Sequence, residues 1–342
     1  MHIIVGIIAA LVLFAILVIV HEGGHFFAAR AVGIRVNEFS IGMGPLICKR
    51  KTPETVYSIR ALPIGGYVAM EGENEESEDE RAFNNKPAWA RALVVAAGPV
   101  MNFLLAVLVL GGMITWSGTS VEPYVADVTA GMPAYAAGIE KGDRIVSVNG
   151  TEISEGSELN EALSHIPADT ESISLGIERD GKTQEMDVPL QETEDGSRMI
   201  GIRFEVGHNP LKGILYGFQG SVEMERQMIA ALGDILTGDT SQGDVVGPIG
   251  IVSLVDQTVQ VGMYNVIYLL ALLSLNLALV NILPFPALDG GRLLFIVIRA
   301  VTGKAISDET EAKIHFLGMF VLFSLMIFIT LKDFNVFILG NR

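Results

Sequence analysis

The sequence predicts a multi-pass α-helical membrane protein with four transmembrane helices and one inserted α+β domain. Half of the 342 residues are hydrophobic, only 18% are charged, and the mean hydropathy is +0.45. Soluble domains carry about 25% charged residues. Four long apolar runs are separated by polar segments, and the longest polar segment has the composition of a soluble domain.

Each apolar run is long enough to cross a bilayer, which takes about 20 residues of helix. The runs cover residues 3–20, 93–116, 264–283 and 314–331. A further apolar stretch, residues 293–298, is too short to span. A cleaved signal peptide is the alternative for the first run, but only His2 precedes it and no convincing cleavage site follows.

Lys and Arg residues near the span ends predict the orientation. They are concentrated in two loops and are absent before the first span. The loop between the first two spans holds Arg30, Arg35, Lys49, Arg50, Lys51, Arg60, Arg81, Lys86 and Arg91. The loop between the last two spans holds Arg292, Arg299, Lys304 and Lys313. These two loops are therefore expected in the cytoplasm. Both termini and the middle segment are expected outside.

The charge balance excludes a nucleic-acid partner, because a net charge of −16 repels a polyanion. Residues 121–206 hold 18 acidic and six basic residues. A second acidic cluster, residues 71–80, is expected to be a solvated loop. The single cysteine, Cys48, excludes an intramolecular disulfide and a cysteine-rich metal site.

The first apolar run ends in His21-Glu22-Gly23-Gly24-His25, an H-E-x-x-H motif. On a helix, His21 and His25 share one face and can bind one Zn²⁺, and Glu22 can act as general base. Ionisable residues inside an apolar span are costly and usually functional. The alternative to a metal site is that these residues lie at the end of the helix, where the headgroup region solvates them.

A third ligand is needed to hold a catalytic zinc. The extended soluble motif requires a histidine at position 31, where the chain has Ala31. His165 and His208 lie in the outer segment, and His315 is expected to be a core or interfacial histidine.

Asp289 is the better candidate for the third ligand. It directly follows residues 281–288, a segment whose two prolines break a helix at membrane depth. With His21 and His25 it would leave one position open, as catalytic zinc sites do. The alternative role for Asp289 is a helix cap or turn.

With these motifs in view, the chain resembles the site-2 proteases, which are intramembrane zinc metalloproteases, and most closely their bacterial RseP-type branch. The matching motifs are H-E-x-G-H at 21–25, G-P-x-x-N-F at 98–103, G-P-I-G-I at 247–251 and N-x-x-P-x-P-x-L-D-G-G at 281–291. The resemblance implies one Zn²⁺ per chain on His21, His25 and Asp289, with Glu22 as general base and then acid.

The resemblance also implies substrate-binding residues. These are Asn281, Asn276, Pro284, Pro286, Gly65, Gly66 and Tyr67. From the residues alone, the two asparagines are either substrate contacts or hydrogen-bonded cross-links between helices.

Residues 59–70 have the pattern of a β-hairpin, with a proline and a Gly-Gly pair at the predicted turn. The resemblance implies a membrane-associated β-hairpin element here, to which an unwound substrate adds as a strand. The alternative is an ordinary hairpin on the cytoplasmic face.

Residues 133–150 resemble the A-x-x-A-G-I-x-x-G-D-x-I-x-x-V-N-G run of bacterial PDZ domains. A strand is predicted at 145–148 and another at 173–179, with turns at Asn149-Gly150 and Asp180-Gly181 and a helix at 159–166. This inserted PDZ domain either binds a peptide terminus or excludes substrates by size.

The predicted organisation has four parts. They are 1–119 (spans one and two), 120–206 (PDZ domain), 207–260 (connector) and 261–342 (spans three and four). In the connector, Met224, Met228, Leu232, Ile235 and Leu236 recur at helical spacing. They predict an amphipathic helix, either on the outer membrane surface or against the outer domain.

The predicted function is intramembrane zinc proteolysis of single-span membrane proteins, such as anti-sigma factors or remnant signal peptides, in a bacterial plasma membrane. Another protease is expected to trim these substrates first. Two alternatives are a catalytically idle PDZ scaffold and a zinc transporter. The retained Glu22 and metal ligands disfavour the scaffold, and a polar constellation confined to one end of a span disfavours the transporter.

Overall fold

The computed structural model describes residues 2–73, 75, 77–167, 170–192, 198–237, 247–303 and 308–334. Residues 238–246 of the predicted connector lie outside the described residues, as do Glu76 and Lys304. The chain divides into two compact units. The first unit is Met1–Leu110 with Gly217–Arg342, and the second unit is Gly111–Tyr216.

The chain begins with helix, strand pair and helix, continues with a segment of eight strands and two short helices, and ends with five helices among the described residues. The helices are α1 (His2–Ala31), α2 (Ala88–Ser117), α3 (Pro133–Ala136), α4 (Gly156–Ser164), α5 (Pro210–Thr237), α6 (Pro248–Val261), α7 (Met263–Ile282), α8 (Asp289–Thr302) and α9 (Asp308–Asp333). The strands are β1 (Val36–Lys51), β2 (Val56–Met70), β3 (Ser120–Val128), β4 (Arg144–Val148), β5 (Thr151–Glu152), β6 (Ser172–Arg179), β7 (Lys182–Pro189), β8 (Gln191–Glu192), β9 (Arg198–Met199) and β10 (Ile202–Gly207).

Four of the described helices are long and apolar enough to cross a membrane. They are Ile4–Ala31, Ala88–Ser117, Met263–Ile282 and Glu309–Asp333. They coincide with the four predicted runs. The short apolar stretch at 293–298 lies inside α8, whose 14 residues extend only about 21 Å along the helix axis.

One buried cluster of the first unit joins the helices that carry the predicted ligands. Phe26 of α1, Val36 of β1, Val68 of β2, Val94 of α2 and Ile296 of α8 pack together there. Burying a large apolar side chain contributes about 1.5–3 kcal/mol. The cluster therefore holds α1, α2 and α8 in a fixed arrangement.

The β element differs from the hairpin predicted within residues 59–70. The two ends of β2 do not pair with each other, because Ile59 and Gly66 both pair with Ile41 of β1. Strand β1 therefore lies between the two arms of the predicted hairpin and is antiparallel to the arm at 66–70. Gly42 and Gly65 have φ values of 83° and 78°, a conformation that glycine adopts without the cost of a Cβ.

The helix predicted in the connector is present as α5, and its placement on the membrane surface stays a prediction. Met224 and Met228 pack against a buried cluster of α2 and α7 that includes Ala106 and Leu275. Two span helices thus contact these two methionines. The side chains of Ile235 and Leu236 lie outside the described residues.

The second unit contains a sheet in the order β10-β3-β4-β6-β7, with β5 paired to β4. Both predicted turns are confirmed, since Asn149, Gly150, Asp180 and Gly181 all have positive φ, as type I′ turns require. The helix predicted at 159–166 begins and ends two to three residues earlier, as α4.

A buried ion pair supports this sheet. Asp143 is 1% exposed, and Arg179 donates to its Oδ1 at 2.6 Å and to its Oδ2 at 2.7 Å. Burial alone would raise the pKa of the Asp143 carboxyl, but the Arg179 guanidinium holds it below its usual range. The pair therefore stabilises the fold above about pH 4, and this contribution is lost as the pH falls through the lowered pKa.

Asp143→Asn is expected to destabilise the second unit by about 2 kcal/mol, because a charged hydrogen-bond acceptor is lost. Amides of β6 in the full-length protein should then exchange with deuterium roughly 30-fold faster. Glu140→Gln is the control, because Glu140 is 70% exposed and contacts the same guanidinium. Equal exchange rates in the two variants would refute this role for Asp143.

Candidate metal centre and active site

Helix α1 presents its two histidines on one face, as their spacing predicts. His21 and His25 are each 9% exposed. Their Nε2 atoms lie 3.3 Å apart. Two ring nitrogens are thus held together inside the first unit.

Asp289 completes the predicted triad. It is the first residue of α8, and its Oδ2 lies 3.1 Å from His21 Nε2 and 3.4 Å from His25 Nε2. Burial alone would raise the pKa of the Asp289 carboxyl, but the two imidazoles hold it well below its usual range. The carboxylate is therefore ionised at neutral pH.

The donor atoms fit a metal ion. Their separations of 3.1–3.4 Å match the roughly 3.3 Å between ligands of a tetrahedral site with bonds of about 2.0–2.1 Å. Asp289 Oδ2 is buried without a well-directed hydrogen bond among the described residues. Two imidazoles and one carboxylate are typical ligands of catalytic zinc, which keeps a fourth position open.

The His25 ring is oriented for coordination by a main-chain carbonyl. Its Nδ1 lies 2.8 Å from the carbonyl oxygen of Val94 on α2. Because a carbonyl only accepts, Nδ1 carries the hydrogen and Nε2 keeps its lone pair. Histidine ligands of metals are commonly oriented in this way.

The His21 ring contacts a residue that the sequence reasoning did not select, Asn102. This side chain is fully buried, and its Nδ2 lies 3.1 Å from His21 Nδ1. Coordination through Nε2 requires a hydrogen on Nδ1, so the amide oxygen of Asn102 must face the ring. A 180° rotation of the amide supplies this acceptor and gives Oδ1, which otherwise has no described partner, a hydrogen bond.

The backbone of α2 approaches the triad at Gly98. A Cβ at this position would overlap the His25 ring and lie 2.8 Å from His21 Cε1. The G-P-x-x-N-F motif thus supplies both this close approach, at its glycine, and the amide of Asn102. The motif was the signal in the sequence that could have identified both residues.

Gly98→Ala is expected to weaken zinc binding at least 10-fold, because its methyl group displaces both imidazoles from ligating positions. Titration against a chromophoric chelator measures this affinity. Gly112→Ala on the same helix is the matched control, since a Cβ there has nothing within 4 Å. Unchanged affinity in the Gly98 variant would contradict the described packing.

The predicted general base lies beside strand β2. A Cβ at Gly66 would lie 3.1 Å from Cγ of Glu22 and 2.8 Å from the Ser40 carbonyl oxygen. Of the three predicted β2 residues, the structure therefore brings Gly66 to Glu22. Tyr67 packs under the Arg60 guanidinium, 5.4 Å from its ring centroid, and Gly65 contacts Met43.

The acidic loop is solvated at Glu75, Glu78 and Glu80, as predicted, but not at Glu73. The Glu73 side chain is 10% exposed and pairs with Arg292 of α8, three residues after Asp289. This ion pair joins the loop to the helix that begins with Asp289.

The remaining predicted residues lie around the Asp289 loop, which we define as residues 283–288. Asn281 is half-buried one residue before α7 ends, and Asn276 is exposed on the same helix. Pro284 is exposed and Pro286 half-buried in the loop itself. Their substrate contacts stay predictions.

Comparison with known proteins assigns the family. The chain matches the Peptidase family M50 over residues 9–325. It is 36% identical over 333 residues to a protein of Clostridium acetobutylicum, covering 96% of this chain and 97% of that protein. It is 32% identical to the regulator of sigma-W protease RasP of Bacillus subtilis, covering 96% and 97%.

The likeness to solved structures concerns a smaller part of the chain. The PDZ domain of the SdrC-like protein from Listeria monocytogenes is 21% identical, covers 24% of this chain and 84% of its own, and has a TM-score of 0.21. The PDZ domain of the SdrC-like protein from Listeria innocua is 22% identical, covers 26% of this chain and 99% of its own, and has a TM-score of 0.22. At these scores the PDZ assignment stays a prediction.

Apolar helices that surround a His-His-Asp triad, with a glutamate next to its first histidine, define a class of zinc metalloprotease. The chain belongs to Peptidase family M50, the site-2 proteases, and is a zinc metalloprotease of the RasP/RseP type.

Proposed function

We propose that this protein is an intramembrane protease that uses one Zn²⁺ to hydrolyse peptide bonds within or near the transmembrane segments of single-span proteins. The convergence of His21, His25 and Asp289 carries the proposal, because two of the three lie in a helix apolar enough to span a membrane. Ionisable groups at such a position are costly and usually functional.

His21, His25 and Asp289 would hold the zinc. When bound, the ion supplies a Lewis acid that polarises the scissile carbonyl and makes water more acidic. Glu22 accepts the proton of the attacking water and then delivers it to the leaving amine nitrogen. Val94 and Asn102 keep both rings in the ligating tautomer throughout.

The substrate segment must be extended, because a helix hides its scissile carbonyls in hydrogen bonds. We assign the binding of the substrate segment to β2, because Gly66 has no side chain and its backbone lies next to Glu22. Residues 66–70 pair with β1 among the described residues. A substrate strand that adds along them would present its backbone to the general base. Asn276, Asn281, Pro284 and Pro286 would contact the same segment.

The proposed location is a bacterial plasma membrane. The Lys and Arg distribution supports an active site near the cytoplasmic side, with both termini and the second unit outside. As a PDZ domain, the second unit would bind a peptide terminus or exclude substrates that another protease has not trimmed. The sigma-W role in the Bacillus relative's name supports anti-sigma factors as substrates.

Reconstitution tests the proposal. Purified, zinc-loaded protein in proteoliposomes is expected to cut a doubly tagged single-span substrate, and mass spectrometry should place the cut within or next to the transmembrane segment. A chelator should stop cleavage, and added zinc should restore it. Zinc-loaded protein that cuts none of a panel of single-span substrates would favour the idle scaffold. Zinc accumulation inside the vesicles would favour the transporter.

A further inference from the structure

The Asp289 loop contains an unfavourable backbone conformation. Ala287 has a φ of 78°, one of three positive values for non-glycine residues in the described part of the chain. The other two are Asn149 and Asp180, which belong to residue types that tolerate this region in turns. Alanine has no polar side chain to compensate for the conformation, so the surrounding structure must hold Ala287 in place.

Helix α9 supplies the contacts that hold this loop. The N–H of Ala287 donates to Nδ1 of His315 at 2.8 Å. Three residues further along α9, Gly318 lies so close to Pro286 that a Cβ would overlap its ring and carbonyl oxygen. Because residues three apart share a helix face, one face of α9 contacts both Pro286 and Ala287.

The surroundings of His315 fix its ring. Its centroid lies 5.5 Å from that of Phe295 on α8. Because Nδ1 accepts from Ala287, the hydrogen of the neutral ring is on Nε2, which lies 4.0 Å from Glu311 Oε1. The ring also lines a cavity of about 420 Å³ with Arg292 and Glu311. The sequence suggested a core or interfacial histidine, whereas the structure shows a hydrogen bond two residues from a ligand.

We propose that His315 is a positioning residue for the metal centre. By accepting the Ala287 N–H, it holds the loop in the conformation that directs the Asp289 carboxylate toward His21 and His25. The inference rests on the proposed function, because it assumes that Asp289 is a zinc ligand. It adds a residue that touches neither the ion nor the substrate.

A matched pair of variants separates the hydrogen bond from simple packing. Asparagine places an acceptor at the δ position, as histidine does, whereas leucine has a similar volume without an acceptor. His315→Leu is expected to weaken zinc binding 10- to 100-fold, the range for losing the partner of a metal ligand. His315→Asn is expected to stay within about threefold of wild type. Chelator competition on the full-length protein measures both.

Two further readouts distinguish positioning from general stability. The melting temperature of the metal-free protein should be similar in the two variants. At saturating zinc, His315→Leu should lower kcat with little change in KM, because Asp289 is misplaced and the substrate strand is not. Should His315→Leu fail to fold, His315→Phe, which keeps a ring but no acceptor, takes its place.

Equal zinc affinities of the leucine and asparagine variants, whether both weakened or both unchanged, would overturn the role of His315. In that case wild-type protein that still binds zinc and cleaves substrate would leave the proposed function intact. Wild-type protein that binds no zinc and cleaves nothing would instead refute the proposed function itself.

Discussion

Glu22→Gln is expected to abolish proteolysis while the protein still binds one zinc per chain. The variant keeps the size and hydrogen-bonding reach of the side chain but cannot accept the proton of water. Loss of a general base costs about 10²–10⁴-fold in rate. The ligand atoms on His21, His25 and Asp289 are untouched, so metal content should not change. Metal analysis together with cleavage of a tagged single-span substrate measures both quantities.

Glu54→Gln is the control for this experiment. It makes the same chemical change at an exposed residue that pairs with Arg30 and Arg81, so its activity should equal that of wild type. Residual activity above about a tenth of wild type in the Glu22 variant would show that another group acts as the base. Loss of zinc from that variant would show that Glu22 helps to hold the metal.

Asp289→Asn is expected to weaken zinc binding by more than 100-fold and to reduce proteolysis with it. The substitution removes the only negative charge among the three donors, and a neutral amide oxygen is a poorer ligand for zinc. The loss should exceed the roughly 10- to 100-fold effect of removing a hydrogen-bond partner of a ligand. Excess zinc should therefore restore part of the activity, and chelator competition gives the affinity.

Asp127→Asn serves as the matched control, because Asp127 is 61% exposed in the second unit and pairs only loosely with Arg203 at 3.8 Å. Its zinc affinity and activity should be unchanged. If Asp289→Asn bound zinc as tightly as wild type, the third ligand would have to come from another residue.

The ligands could be predicted from the sequence because their signals are local. Histidines four apart share a face of any helix, so His21 and His25 needed no knowledge of the tertiary structure. Asp289 stood out because two prolines and a glycine pair interrupt an apolar run around it. The four span candidates followed from run length alone.

The contacts that orient these ligands could not be predicted from the sequence, although the G-P-x-x-N-F motif includes two of the residues that make them. Asn102 meets His21 across 81 positions of the chain, and the carbonyl of Val94 meets His25 across 69. Such contacts depend on how α1 crosses α2, which periodicity does not encode. The motif includes Gly98, but the sequence does not show that this glycine lies against the two histidine rings.

The partners of the β element and of α5 could not be predicted, for related reasons. Pro63 and Gly65-Gly66 resemble a turn, but their neighbours on both sides pair with the long strand β1. The two methionines of α5 fit any apolar partner, and only the folded structure shows that α2 and α7 contact them. A hydrophobic pattern specifies that a face is buried but not what buries it.

The most direct test of the account is zinc K-edge X-ray absorption on the purified, zinc-loaded full-length protein. We predict one zinc per chain with a shell of nitrogen and oxygen ligands at about 2.0–2.2 Å, two of them imidazoles, and no sulfur. Asp289→Asn should alter or deplete that shell. No bound zinc after metal is resupplied, or a shell without two imidazoles, would contradict the triad of His21, His25 and Asp289.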